Sequence, residues 1–139
     1  MTTNSQASDL RTDRLMLILL LGYAAASLFH HVHNAEFLHE YPNMPSWLSP
    51  VGVYAAWLGV TLVGVAGYLL LRRGFRIAGL LVIAAYGALG FDGLAHFSLA
   101  PLSAHSSTMH LTIWLEVATA AMLLIAVAVL LYRRSRSLL

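Results

Sequence analysis

Cysteine is absent from this chain of 139 residues, which excludes disulfides, thiolate metal sites and cysteine nucleophiles. Any metal would have to be held by nitrogen and oxygen, with methionine sulfur as the one soft donor. Lysine is absent as well. All 8 basic side chains are arginines, and they sit in short clusters rather than along a continuous basic face, which argues against a nucleic-acid partner. Charge of either sign is scarce: 10% of residues are charged, against 59% hydrophobic, and the mean hydropathy is +0.74. That is too apolar for a soluble domain of this size, and the composition is that of an integral membrane protein.

What is present is four apolar runs separated by polar punctuation. The sequence predicts an all-α membrane protein, a four-transmembrane-helix antiparallel bundle with spans at about 15–34, 51–71, 77–97 and 109–132. Residues 1–14 are polar and read as a disordered tail, and residues 133–139 as a basic C-terminal tail. The run after Arg14 lacks a small-residue cleavage site before its histidines, so it reads as a retained span rather than a signal peptide. Pro42, Pro45 and Pro50 interrupt any helix through YPNMPSWLSP and predict a tight outer loop, with Tyr41 and Trp47 at interfacial depth. Thr108 is the expected N-cap of the last span, with Ser106 and Ser107 as rivals.

The arginines set the expected topology. Arg11 and Arg14, then Arg72, Arg73 and Arg76, then Arg133, Arg134 and Arg136 fall on one side of four spans, which the positive-inside rule makes cytoplasmic, together with both termini. All 7 histidines then lie at or near the opposite face, as do Glu36, Glu40, Asp92 and Glu116. The expected location is a bacterial cytoplasmic membrane, with any site facing the periplasm or exterior.

The densest polar stretch is FHHVHNAEFLHEY, Phe29 to Tyr41, directly after the first apolar run. At 100° per residue, His30, His33, Glu36 and Glu40 share about a third of a helix circumference, while His31 and His39 point elsewhere and read as interfacial or supporting. Counting 1.5 Å per residue from the arginine flanks puts His30, Asp92 and Glu116 roughly 24 to 26 Å up, near the outer edge of a hydrocarbon core about 30 Å thick. His33, His96 and His110 come one layer higher. Asp92 and His96, at i and i+4, would share a helical face. A carboxylate at this depth costs about 2.5 kcal/mol or more against lipid, so Asp92 and Glu116 are expected to face inward. His105, in a Ser-rich loop, reads as exposed, and Tyr23, Tyr68 and Tyr86 as packing residues.

The spacing Asp92-x3-His96-x13-His110, which crosses an outer loop between two spans, resembles the Asp/Asn-x3-His-x12–13-His copper ligand pattern in the C subunit of particulate methane and ammonia monooxygenases. That resemblance implies copper ligation by Asp92, His96 and His110. The cluster on the first span has no counterpart in that pattern.

From these residues the leading expectation is a transition metal, copper, iron or zinc, held by His30, His33, Asp92, His96 and His110, with Glu36 and Glu116 as oxygen ligands or acid–base groups. Such a site would serve oxidative chemistry on an apolar substrate, or metal handling. A metal-free isomerase or cyclase using a His–carboxylate pair on a lipid or isoprenoid is the first alternative, and a b-type haem protein the second. A transporter is opposed by the lack of ionisable residues in the lower half of every span. The expected partners are the bilayer, an apolar or lipid substrate, and a homo-oligomer or larger membrane complex, with no nucleic acid.

The arginine pattern makes a direct prediction. Tags at both termini should be cytoplasmic, and a cysteine introduced at Asn43 should react with an impermeant maleimide in intact cells. Reaction only after the membrane is broken would invert the topology.

Overall fold

The structure is a computed structural model that describes residues 2–136, with side chains described from residue 12 onward. Among the described residues every regular element is helical. The long helices are α1 (Thr2–Glu36), α2 (Pro50–Arg72), α3 (Arg76–Leu89) and α5 (Ser107–Arg136), and a single helical turn, α4 (His96–Leu99), follows α3. Four segments are long and apolar enough to cross a membrane: Thr12–Glu36, Pro50–Arg72, Arg76–Leu99 and Ser107–Arg136. This is the character of a multi-pass membrane protein. Each segment contains the corresponding apolar run of the sequence and extends it by a few residues.

The ends of the elements follow from local chemistry. Helix α2 starts where the Ser49 hydroxyl accepts from Gly52 N–H at 3.1 Å and Pro50 takes the first helical position, whose N–H would be unpaired in any case. Of the three candidate caps for α5 it is Ser106 that serves, its hydroxyl accepting from Met109 N–H at 3.3 Å. Helix α1 begins at Thr2, within the stretch read from the sequence as a disordered tail; the side chains of residues 1–11 lie outside the described residues, as do residues 137–139 of the C-terminal tail. At its other end α1 stops at Glu36, and Leu38–Glu40 form a 3-10 turn. The expected helical face that included Glu40 therefore does not extend past Glu36.

The third span is not one continuous helix. α3 ends at Leu89, and the N–H groups of Gly90, Phe91 and Leu94 bond three residues back, to Gly87, Ala88 and Phe91, at 3.1, 3.2 and 3.0 Å. Gly90 and Gly93 within four residues weaken the α-helix at this point, and the tighter 3-10 turn Asp92–Ala95 replaces it. Asp92 and His96 are thus not an i, i+4 pair on one α-helix.

Packing closes the four long helices into a ring: α2 lies most extensively against α3 and α1 against α5, with α1–α2 and α3–α5 completing the circuit. The core below the polar level is built by α1 (Met16, Leu20, Tyr23), α3 (Leu80, Ile83, Tyr86) and α5 (Ala120, Leu123, Val127). Tyr23 and Tyr86 pack there with ring centroids 4.5 Å apart, the packing role expected of them. α2 is the least buried of the four. It approaches α3 at Gly67 and Gly79, where an added Cβ on Gly79 would lie 2.7 Å from Leu71 N and 2.9 Å from Gly67 O. Large apolar side chains such as Ile18, Leu62, Leu81 and Ile125 face outward, as in a chain whose solvent is lipid. The loop between α1 and α2 is tied to the end of the third span by Asn43, at φ 57°, whose side-chain amide donates to Leu99 O at 2.8 Å.

The close approach of α2 to α3 sets two glycines against each other. Gly79→Ala should lower stability by about 1–3 kcal/mol, because the methyl meets backbone that cannot move alone. Gly59→Ala, with nothing within 4 Å, should be neutral or stabilising. Thermal unfolding of both variants in one detergent checks the contrast.

Candidate functional site

The inward stripe of α1 runs Met16, Leu20, Tyr23, Ser27, His30 and Asn34, a spacing of three or four residues that turns from apolar to polar as it rises. On α5 the matching stripe is Met109, Thr112, Ile113, Glu116 and Ala120. Where the two meet, Glu116 is 2% exposed and His30 3% exposed. His30 Nε2 lies 3.8 Å from Glu116 Oε2, and His31 Nδ1 lies 3.9 Å from Glu116 Oε1. Gly93, in the 3-10 turn, lets the third span close over this pair: a Cβ there would stand 3.3 Å from Glu116 Oε2.

The hydrogen bonds assign the imidazole tautomers. The Thr112 hydroxyl donates to Met109 O at 3.1 Å, so its oxygen is left to accept from His30 Nδ1–H at 3.3 Å. In the neutral ring His30 Nε2 then carries a lone pair, and it points at a carboxylate oxygen. Two electron-rich atoms attract only with a proton or a cation between them. His31 is fixed in the same sense, its Nδ1–H donating to Ser27 O at 2.9 Å and leaving Nε2 as an acceptor. Orientation of one ring nitrogen so that the other is free is the arrangement both a general base and a metal ligand require.

His96, 7% exposed, packs edge-on against His30 with centroids 5.4 Å apart, and Asn34 Nδ2 donates to its Nε2 at 3.2 Å. Its Nδ1, and Asn34 Oδ1, are buried without a protein partner. Such atoms are held in native proteins by water or ligand, since an unpaired buried polar group costs about 1–3 kcal/mol. A cavity of about 340 Å³ opens beside these groups. One wall is polar, formed by His30, His31, Asn34, Asp92, His96 and Glu116, and the facing wall is apolar, with Val53, Ala56 and Val60 of α2 and Leu89 of α3. Asp92 reaches this cavity from an exposed position.

The remaining candidates lie elsewhere. His33 Nδ1 and the Tyr41 hydroxyl are hydrogen-bonded at 2.9 Å; burial pushes the Tyr41 phenol up to about 12, so it stays protonated. Glu36 is exposed and accepts from the Tyr54 hydroxyl at 2.7 Å, bracing α1 against α2. His110 stacks on Phe97 with centroids 5.3 Å apart, and its Nε2–H donates to Leu102 O at 3.0 Å. It reaches His96 only through His105, whose ring lies 6.5 Å from His96 and 5.9 Å from His110.

His105 departs from its expected exposure. It is 7% exposed, its Nδ1–H donating to Pro101 O at 3.2 Å, because the loop folds its short 3-10 turn Leu102–Ala104 back over the bundle end. His31, expected off the shared face as an interfacial or supporting residue, belongs to the cavity wall, and so does Asn34, which the sequence reading did not single out. For Asn34 the signal was present in the stripe Ser27, His30, Asn34; for His105 there was none, since loop residues have no periodicity. Among the described residues no three His, Asp or Glu side chains stand where they would hold one ion together.

The His30–Glu116 contact should behave as a coupled pair. His30→Leu alone should cost about 1–3 kcal/mol by removing the imidazole beside the buried carboxyl, whereas His30→Leu with Glu116→Leu should cost less than the sum of the single changes. A double-mutant cycle by unfolding in detergent measures the coupling. No family model, curated protein or solved structure matches the chain.

Proposed function

We propose that this multi-pass membrane protein, with both termini cytoplasmic, binds a small apolar substrate in its outer cavity and exchanges a proton with it through His30 and Glu116. The observation that carries this reading is the His30 Nε2 lone pair set 3.8 Å from Glu116 Oε2 on the polar wall of an otherwise apolar cavity. Proton exchange needs only this pair. His30 takes a proton from one carbon of the substrate, and the Glu116 carboxyl returns one to another carbon. Atoms and charge balance, with no oxidant, and the outcome is an isomerisation or cyclisation of a lipid or isoprenoid. The apolar wall supplies affinity, and the few convergent polar groups supply orientation.

A second reading places a transition metal, copper, iron or zinc, between the same atoms. The position of His31 beside the carboxyl, its Nδ1 3.9 Å from Glu116 Oε1, favours it, since His30, His31 and Glu116 together would give a nitrogen and oxygen donor set suited to these ions. It requires the side chains to rotate toward a common point, which the proton reading does not. The haem alternative, with His30 or His33 opposite His96, finds no support in this geometry: the His30 and His96 rings are in T-shaped contact at 5.4 Å, and the Tyr41 ring contacts both His33 and His96.

Two measurements on detergent-purified protein decide between these readings. Elemental analysis should find no stoichiometric copper, iron or zinc, and infrared spectroscopy should show a carboxyl band that titrates and is missing from Glu116→Gln. One metal per chain, lost in His30→Ala and His31→Ala, would replace the proton reading with the metal one.

A further inference from the structure

Three polar side chains that do not line the cavity, Thr112, Tyr41 and His33, are joined in a row that ends on the His30–Glu116 pair. His30 Nδ1–H donates to Thr112 Oγ1 at 3.3 Å, the Thr112 and Tyr41 hydroxyls hydrogen-bond each other, and the Tyr41 hydroxyl bonds His33 Nδ1 at 2.9 Å. His30 Nε2 in turn lies 3.8 Å from Glu116 Oε2. Glu116, His30, Thr112, Tyr41 and His33 are thus neighbours in sequence, and each can both give and take a proton at the atoms that face the next.

The row runs from the interior to the surface. Glu116, His30, Thr112 and Tyr41 are buried, and His33 is half-buried on α1. Tyr41 also forms part of the wall of a separate cavity of about 520 Å³ in the α1–α2 loop, beside the exposed Glu36 and His39. On the other side of the carboxyl, Ser27 hydrogen-bonds Glu116, and the inward stripe of α1 continues through Tyr23 to the apolar Leu20 and Met16. Among the described residues the row therefore reaches the surface at one end, where α1 gives way to its loop.

That end depends on the stop of α1. In a continuous α-helix Tyr41 would stand about 12 Å beyond His33. The 3-10 turn Leu38–Glu40 and the extended backbone of Tyr41, at φ −74° and ψ 123°, fold the chain back, and the Tyr41 ring packs against His33 and His96 with centroids 5.8 and 4.9 Å away. The ring alone anchors the loop. The hydroxyl adds a link between a buried hydroxyl and a half-buried imidazole.

We infer that Thr112, Tyr41 and His33 form a proton wire that joins the buried His30–Glu116 pair to water at the loop end of the bundle, by a route separate from the cavity. This deepens the proton-exchange reading and rests on it for the inner end of the wire. An apolar occupant of the cavity keeps water from the carboxyl, and the wire keeps the pair in exchange with solvent. Once His30 has taken a proton at Nε2, its Nδ1 gives one to Thr112 Oγ1, whose own hydrogen turns from Met109 O to the Tyr41 oxygen, and the phenol passes its hydrogen to His33 Nδ1. Each hydroxyl ends with one hydrogen, His30 is again neutral, and one proton has moved to His33. Entry of a proton reverses the steps.

The test transfers full-length protein in vesicles from H2O to D2O and follows two protons. The Glu116 carboxyl is read by infrared spectroscopy and identified by its absence from Glu116→Gln; the His30 Nδ1–H is read by NMR of protein carrying 15N-histidine and identified by its absence from His30→Gln. Tyr41→Phe, which keeps the ring, and Thr112→Val should each slow both exchanges at least tenfold. Thr112→Ser, which keeps the hydroxyl, should exchange at the wild-type rate, as should Tyr54→Phe, whose hydroxyl bonds Glu36 outside the row. A network that only braces the helices would shift the unfolding temperature of Tyr41→Phe and Thr112→Val and leave these rates alone, and that result would overturn the wire. A wild-type protein with no Glu116 carboxyl band, but with His30 Nδ1–H exchange slowed by Tyr41→Phe, ends the proton-exchange pair and leaves the wire standing; a carboxyl band whose exchange is indifferent to Tyr41→Phe and Thr112→Val does the reverse.

Discussion

A carboxyl group buried on a helix surrounded by hydrocarbon must be matched by its neighbours, and Glu116 makes that demand on three elements at once. α1 answers with His30 and His31, the third span answers by carrying a glycine at position 93 so that its backbone can come close, and Thr112 one turn above fixes the imidazole that faces the carboxyl. An exposed pair of this kind would be worth little. At 2% and 3% exposure the same contact decides how α1 and α5 are rotated, because any other rotation strands a charge or a donor where water cannot reach it.

The break in the third span serves the same end. A continuous α-helix through residues 90–96 would carry Asp92 and His96 on one face, and the helix would pass Glu116 at ordinary side-chain distance. The change to a 3-10 turn, permitted by Gly90 and Gly93, brings the backbone in at Gly93, leaves Asp92 at the cavity rim and turns His96 inward to Asn34 and His30. Irregular backbone within an apolar span is tolerated where it lines a cavity, and this segment runs along the cavity beside His30 and Glu116. Below it, Tyr23 and Tyr86 and the aliphatic core hold α1, α3 and α5 together, while α2, the least buried of the long helices, packs chiefly on α3.

The four apolar runs and the common level of His30, Asp92 and Glu116, which line one cavity, were legible in the sequence. Hydropathy, charge bias and helical rise are properties of the chain taken segment by segment, and they need no knowledge of neighbours. The choice of His30 and His31 over His33 as partners of Glu116 was not legible, because adjacent residues on a helix differ by 100° and the rotation of α1 is set by what α5 offers opposite it. Nor was the burial of His105, which depends on a loop folding over the helix ends, or the 3-10 turn, whose glycines are equally common in unbroken membrane helices. Sequence alone set the height of each polar group along its helix; tertiary packing decided which of them face one another, since height follows from distance along a helix and facing follows from the contacts between helices.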